Sequence, residues 1–301
     1  MRGNRSRRLA GTLLLALGLA TGVSTGASAS HLRPAHEIKL RVERLQRLEG
    51  AFYELWVVKG TRKESAGSFN VTDSGRLEDG FGHRARFFSR IDPAQADALV
   101  VTIEPLPDPD PGPSGIAILT GAPGRHDAML RFPVNQRRMR GSFILATPTD
   151  SDSTNETAGV WFLDPAAGPG PSLILPQLPG GWVFEGWGVT QGHPLTTGRF
   201  TAASGADSAA PFSGPNPGPP FPGEDFLMNL PPEITRPVDL ADGSSAIVLT
   251  LEPDLSGVDP TGEGPFSIKP LLAAVPAGAA DHTSIELSLD LSTVPIGRAT
   301  Y

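Results

Sequence analysis

Two glutamates stand at matching places in two copies of one stretch: Glu54 in Gly50–Phe69 (GAFYELWVVKGTRKESAGSF) and Glu185 in Gly181–Phe200 (GWVFEGWGVTQGHPLTTGRF). A carboxyl group inside an apolar strand can act as a general acid or base. Its recurrence at the same strand position points instead to a shared structural hydrogen bond. The six histidines (His31, His36, His83, His126, His193 and His282) are scattered through expected loops and the leader, so each is read as a surface group. A Ser-His-Asp triad can be drawn in any serine-rich chain, and drawing one proves nothing. There is no G-x-S-x-G, H-E-x-x-H, phosphate loop or dinucleotide fingerprint. If a leader were cut after Ser30, an N-terminal His31 could hold copper. Cleavage after Ala29 fits the small-residue rule better and leaves Ser30 at the terminus.

Acidic loops are the next candidates. Asp108 and Asp110 sit in PDPDPG, and Asp254, Asp259 and Glu263 sit in DLSGVDPTGEG. Oxygen-rich loops can bind calcium. Neither has the spacing of a calcium loop, so they are read as exposed acidic turns, with Asp254, Asp259 and Glu263 kept as possible ligand or partner contacts. Of the four tryptophans, Trp56 and Trp187 fall in the copied strand and are assigned to the core. Trp161 and Trp182 have no tryptophan counterpart in the first copy and are expected to be exposed contact aromatics. No catalytic, cofactor-binding or metal-ligating residue is expected.

The elements that carry these residues follow from the repeat. At an offset of 131, Gly50, Glu54, Trp56, Val58, Gly67 and Phe69 meet Gly181, Glu185, Trp187, Val189, Gly198 and Phe200. Downstream, Val100–Pro105 (VVTIEP) answers Val248–Pro253 (VLTLEP). Two matching blocks in the same order imply one folding unit used twice. Glu37–Glu43 alternates as a half-wet strand, and Ala51–Val58 is apolar on both faces, as in a covered central strand. Asp92-Pro93 should cap a single helical turn. Ser284–Leu291 (SIELSLDL) should be the final strand. The 35 glycines and 31 prolines suit many short strands and long loops. The reading is all-β: two tandem antiparallel β-sandwiches of Ig-like kind. The first covers residues 30–134 and the second 141–301, with a linker at 135–140 and a long mobile Gly/Pro-rich loop at 204–222.

Residues 1–29 carry four arginines, an apolar run over Leu9–Val23 and an A-x-A site at Ala27–Ala29, the pattern of an export signal peptide. The alternative is an uncleaved membrane anchor. Without the signal's four arginines, the formal charge of −7 becomes −11, all of it in residues 135–301, with 7 basic and 18 acidic residues against 14 of each in 30–134. Such acidity argues against nucleic-acid binding. The absence of cysteine removes disulfides and thiol chemistry.

The first unit resembles the C-terminal extracytoplasmic domain of anti-sigma-K factors. The resemblance rests on Tyr53-Glu54-Leu55-Trp56, Ala66-Gly67-Ser68-Phe69, Val101-Thr102-Ile103-Glu104-Pro105, Pro113 and Gly121. The second unit is similar through Phe184-Glu185-Gly186-Trp187, Thr197-Gly198-Arg199-Phe200, Leu249-Thr250-Leu251-Glu252-Pro253 and Pro260-Thr261-Gly262. The resemblance implies a β-sandwich outside the membrane. The family's zinc-binding anti-sigma domain and its transmembrane helix have no counterpart here, so direct sigma-factor binding is not expected. The function expected is a non-enzymatic binding or structural module of the cell envelope, its partner an envelope protein or glycan. The alternatives are a membrane-anchored accessory of sigma/anti-sigma signalling, or a hydrolase or copper enzyme with its site in the second unit.

Overall fold

A computed structural model describes residues 35–166, 168–255, 257–261 and 264–301. The expected signal segment, its cleavage site, His31 and Glu263 lie outside the described residues. Among the described residues the chain is all-β, with three single-turn 3-10 helices. One of these, Pro93–Gln95, is capped as expected: the Asp92 side chain accepts from the Ala94 amide.

The strands of the first half are β1 (His36–Glu43), β2 (Ala51–Lys59), β3 (Arg62–Val71), β4 (Leu77–Glu78), β5 (Phe87–Ser89), β6 (Ala98–Pro105), β7 (Ala117–Gly121) and β8 (Asp127–Arg131). Those of the second are β9 (Gly141–Leu145), β10 (Gly159–Trp161), β11 (Leu163–Asp164), β12 (Gly170–Pro171), β13 (Trp182–Thr190), β14 (His193–Phe200), β15 (Gly223–Asp225), β16 (Ala246–Pro253), β17 (Leu271–Ala274), β18 (Ile285–Leu289) and β19 (Ile296–Thr300). They form two large antiparallel sheets and a small β11–β12 ribbon. The first sheet runs β4-β3-β2-β6-β7-β8-β19-β1-β5, the second β14-β13-β16-β17-β18-β9-β10-β15. Each sheet curls until strands near its ends approach, β3 against β5 and β14 against β15.

The two copied blocks fold in the same register. Tyr53 pairs with Phe69 and Phe184 with Phe200, and the ladder slips by one residue after Leu55 in one copy and after Gly186 in the other, the same place at an offset of 131. Trp56 lies opposite Val100, and Trp187 opposite Val248. Both indoles are buried and make the same bond, Trp56 Nε1 to Thr102 Oγ1 at 2.8 Å and Trp187 Nε1 to Thr250 Oγ1 at 3.0 Å. Each threonine hydroxyl then donates to a buried carboxyl, Glu104 in one copy and Glu252 in the other. Glu54 and Glu185 accept from Ser65 and Thr196, again 131 positions apart, so the recurrent carboxylate is part of a repeated side-chain bond. Because each threonine accepts from an indole and donates to a carboxyl, Thr102→Val and Thr250→Val should each leave a buried indole N–H unpaired and take one bond from a carboxyl that keeps an amide donor, Ser114 for Glu104 and Phe266 for Glu252. Each should cost about 2–4 kcal/mol, read as a lowered urea midpoint, and the two losses should be similar.

The halves exchange strands. β9 follows β8 in the chain but lies in the second sheet, between β18 and β10. β19 follows β18 but lies in the first sheet, between β8 and β1. Ile296, where β19 begins, sits opposite Arg131, where β8 ends. Gly141, where β9 begins, sits opposite Leu287, near the end of β18. Each exchanged strand therefore occupies the place that a simple hairpin would have given to the next strand of the other half. The final strand is thus Ile296–Thr300, not the Ser284–Leu291 stretch expected from alternation, which forms the penultimate strand β18. The crossing segment after β8 is part of the core: Phe132, Val134, Gln136 and Met139 are all buried. One continuous apolar cluster spans both halves. β2 and β3 are joined by a two-residue turn, since β2 ends at Lys59 and β3 begins at Arg62.

Candidate functional site

The second half differs from the first where its chain is longer, between β14 and β15. Gly198 lies in β14 with φ +104°, and a Cβ there would stand 2.6 Å from the Asp207 carboxyl carbon. Its glycine is what lets the 201–222 loop reach down onto the strand. Asp207 accepts from the Gly223 amide at 2.9 Å. Further along, Thr149 Oγ1 accepts from the Gly214 amide at 2.7 Å, and the Thr149 carbonyl accepts from the Asn216 amide at 2.9 Å. Ser213 donates to Glu224. Asp225 accepts from the Thr149 amide at 2.8 Å, from the Thr149 hydroxyl, and from Trp161 Nε1 at 2.6 Å. The loop expected to be mobile is thus tied to β15 and to the segment after β9 by a set of carboxyl, hydroxyl and amide bonds.

Two adjoining hollows flank Asp207. The first, of about 480 Å³, is lined by Arg199, Asp207, Ser208 and Asp254 among others. The second, of about 400 Å³, is lined by Thr149, Trp161, Asp207, Ser213 and loop glycines and prolines. Arg199 donates to Glu185 at 2.8 Å and lies 3.5 Å from Asp259. Burial works against its charge, but the bond and charge of Glu185 hold its pKa above the ordinary value. Burial pushes the carboxyls of Asp207, Glu224 and Glu252 up to about 7 and raises that of Asp225. In the first half, burial likewise raises Glu54 and Glu104.

The expected contact residues are dispersed. Asp254 is exposed on the rim of the first hollow, and Asp259 lies behind it through Arg199. Asp259 Oδ1 also accepts from the Thr261 amide at 2.9 Å and hydroxyl at 2.6 Å. Trp161 and Trp182, expected at the surface, are both buried. Trp161 belongs to a small apolar cluster with Ile144, Ala146, Leu163 and Phe221 beneath the loop, and its edge reaches the second hollow. Trp182 lies between the halves, distant in role from either hollow: its Nε1 donates to the Ala117 carbonyl at 3.2 Å. Both rings are covered because their N–H groups find partners inside. The aromatics that do face water are phenylalanines, Phe81 at 86% exposure and Phe88, over which Arg86 stands at 5.0 Å.

Asp108 and Asp110 accept from the amides of Asp110 and Gly112, as turn-forming side chains do. The five described histidines are exposed. Among the described residues no three His, Cys, Asp or Glu side chains are grouped to hold a metal ion. Among the described residues, too, no helix is long and apolar enough to cross a membrane. The residues that sequence reasoning missed are Asp207, Glu224 and Asp225. A signal for two of them was present: an adjacent acid pair set within the apolar run Phe221–Leu227. No protein-family model, curated protein or solved structure matches the chain.

Proposed function

We propose that this is an exported, non-enzymatic binding module of the cell envelope, and that its ligand is a glycan segment held in the cleft on either side of Asp207. In this reading each half is a variant of the sandwich seen in the anti-sigma-K C-terminal domain, and the first half is the scaffold. The observation that carries the reading is the pair of hollows flanking one carboxyl under a loop that only the second half possesses. Their walls offer Asp254, Ser208 and the backbone groups of a Gly/Pro-rich loop, while the hydroxyls of Thr149 and Ser213 are spent in fastening that loop. Such closely spaced acceptors and hydroxyls match the hydroxyl groups of a sugar.

The test is calorimetric titration of the full chain with soluble peptidoglycan fragments and with neutral oligosaccharides, alongside Asp254→Asn. Asp254 is exposed, so the variant keeps its fold. Binding that weakens at least fivefold in the variant is the expected result. No heat from either probe, or equal affinity in the two proteins, removes the cleft as the binding site.

A further inference from the structure

The loop over the cleft is fastened to carboxyl groups that have no cation of their own. Glu224 and Asp225 are both 0% exposed. Glu224 Oε1 accepts from Ser213 and from the Asp225 amide at 3.2 Å, while Oε2 is buried without a hydrogen bond. The charged groups facing this cluster are acids from every side: Asp207 from the loop, Glu185 from β13 and Asp150 from the segment after β9. The nearby cation, Arg199, is already engaged by Glu185 and Asp259. An ionised carboxylate in such a place loses its hydration and gains no counter-charge, whereas a protonated one is tolerated.

We propose that the 201–222 loop is a proton-operated cover for the cleft, seated when Asp207 and Glu224 carry protons and lifted when they ionise. This regulation rests on the cleft being the binding site, but its mechanism is a property of the loop itself. The direction follows from linkage. With the loop lifted, the buried Glu224 reaches water, the half-buried Asp207 becomes fully hydrated, and both return to the usual range near 4; with it seated, desolvation holds both at about 7. The seated form then binds more protons across that window. Closure is most favoured at the acid end, weakens as pH rises from about 4 to about 7, and changes no further above it.

Hydrogen exchange on the full chain at pH 5, 6, 7 and 8, corrected for intrinsic rates, tests this without any ligand. The amides of Gly214, Asn216 and Gly223, each bonded in the seated loop, should lose protection at least tenfold from pH 5 to 8, while the core strands β13 and β16 stay constant. Glu224→Gln should flatten the dependence, and Asp207→Asn should do so independently should the first variant fold poorly. Protection that is constant with pH, or that rises with it, overturns the proposal whatever the cleft binds. A glycan that binds equally at pH 5 and 8 to a loop that does open would leave the cover in place and overturn its control of the site. A loop that opens with pH in a protein that binds neither probe would sink the binding-site reading alone.

Discussion

A chain cut after Thr293 should lose its first sheet, although the cut lies more than 160 residues beyond the last strand of the first half. The missing strand β19 is bonded on both edges, to β8 from Ile296 opposite Arg131 through Thr300 opposite Asp127, and to β1 over Lys39–Glu43. Ala299 is fully buried, and Arg298 Nε bonds Asp127 at 2.8 Å. Without the strand, β1 and β5 separate from the other six strands, and the inner edge of β8 is left open. Each lost backbone bond is worth about 1 kcal/mol net, so two ladders and the apolar area beneath them amount to roughly 5 kcal/mol or more. That is comparable to the whole stability of many domains. The expected outcome is a protein whose residues 36–131 are digested by protease under conditions where the intact chain resists.

The exchange also makes a constructive prediction. A fragment ending at residue 134 should not fold alone. The same fragment with residues 294–301 appended through a short turn should do so, because β8 already ends beside the start of β19. A plain 35–134 fragment that unfolds cooperatively in urea would show that the strand is an ornament of the sheet and not a part it requires.

Much of this architecture could be read from residues alone. The offset of 131 between Glu54 and Glu185 predicts two strands with one environment, and the ladders, the slipped register and the Trp-Thr-Glu bonds agree to the residue. The exchange could not be read, for a physical reason. Gly141–Leu145 and Ile296–Thr300 bury the same faces whether each pairs with its own predecessor or with that of the other half, so the apolar pattern is identical in the two topologies. The cleft was hidden for another reason. Gly and Pro in 204–222 rule out regular structure, but irregular is not the same as loose, and what fastens this loop is Asp207 over Gly198 and two acids within an apolar run. The position of Trp182 misled because its equivalent at the 131 offset is Ala51. A ring without a counterpart looked like a surface addition, yet it fills space that only the second half's neighbour provides.

Replacing that ring should be among the most damaging single changes. Trp182 is 3% exposed, at the first residue of β13. Phe132, in the crossing segment after β8, meets it edge-on at 4.9 Å, and Phe266 meets it at 6.0 Å from the second half. Its N–H reaches across to Ala117 at the start of β7. Beside it, Gly181 faces Ile116 so closely that a Cβ would lie 2.6 Å from the isoleucine side chain, so the backbone here is already in contact and cannot collapse further into a void. Trp182→Ala should therefore leave a cavity and cost about 3–5 kcal/mol, seen as a lower urea midpoint with one transition still shared by both halves, since the exchanged strands keep them coupled. Trp182→Phe keeps part of the edge-on packing but frees the Ala117 carbonyl, and should lose less. Trp161→Ala offers the contrast. Its cluster is small and peripheral, so most of its effect should appear as faster exchange in the 201–222 loop and not as a lower global midpoint. A Trp182→Ala protein within about 1 kcal/mol of the parent, measured by urea unfolding, would mean that the exchanged strands alone join the halves.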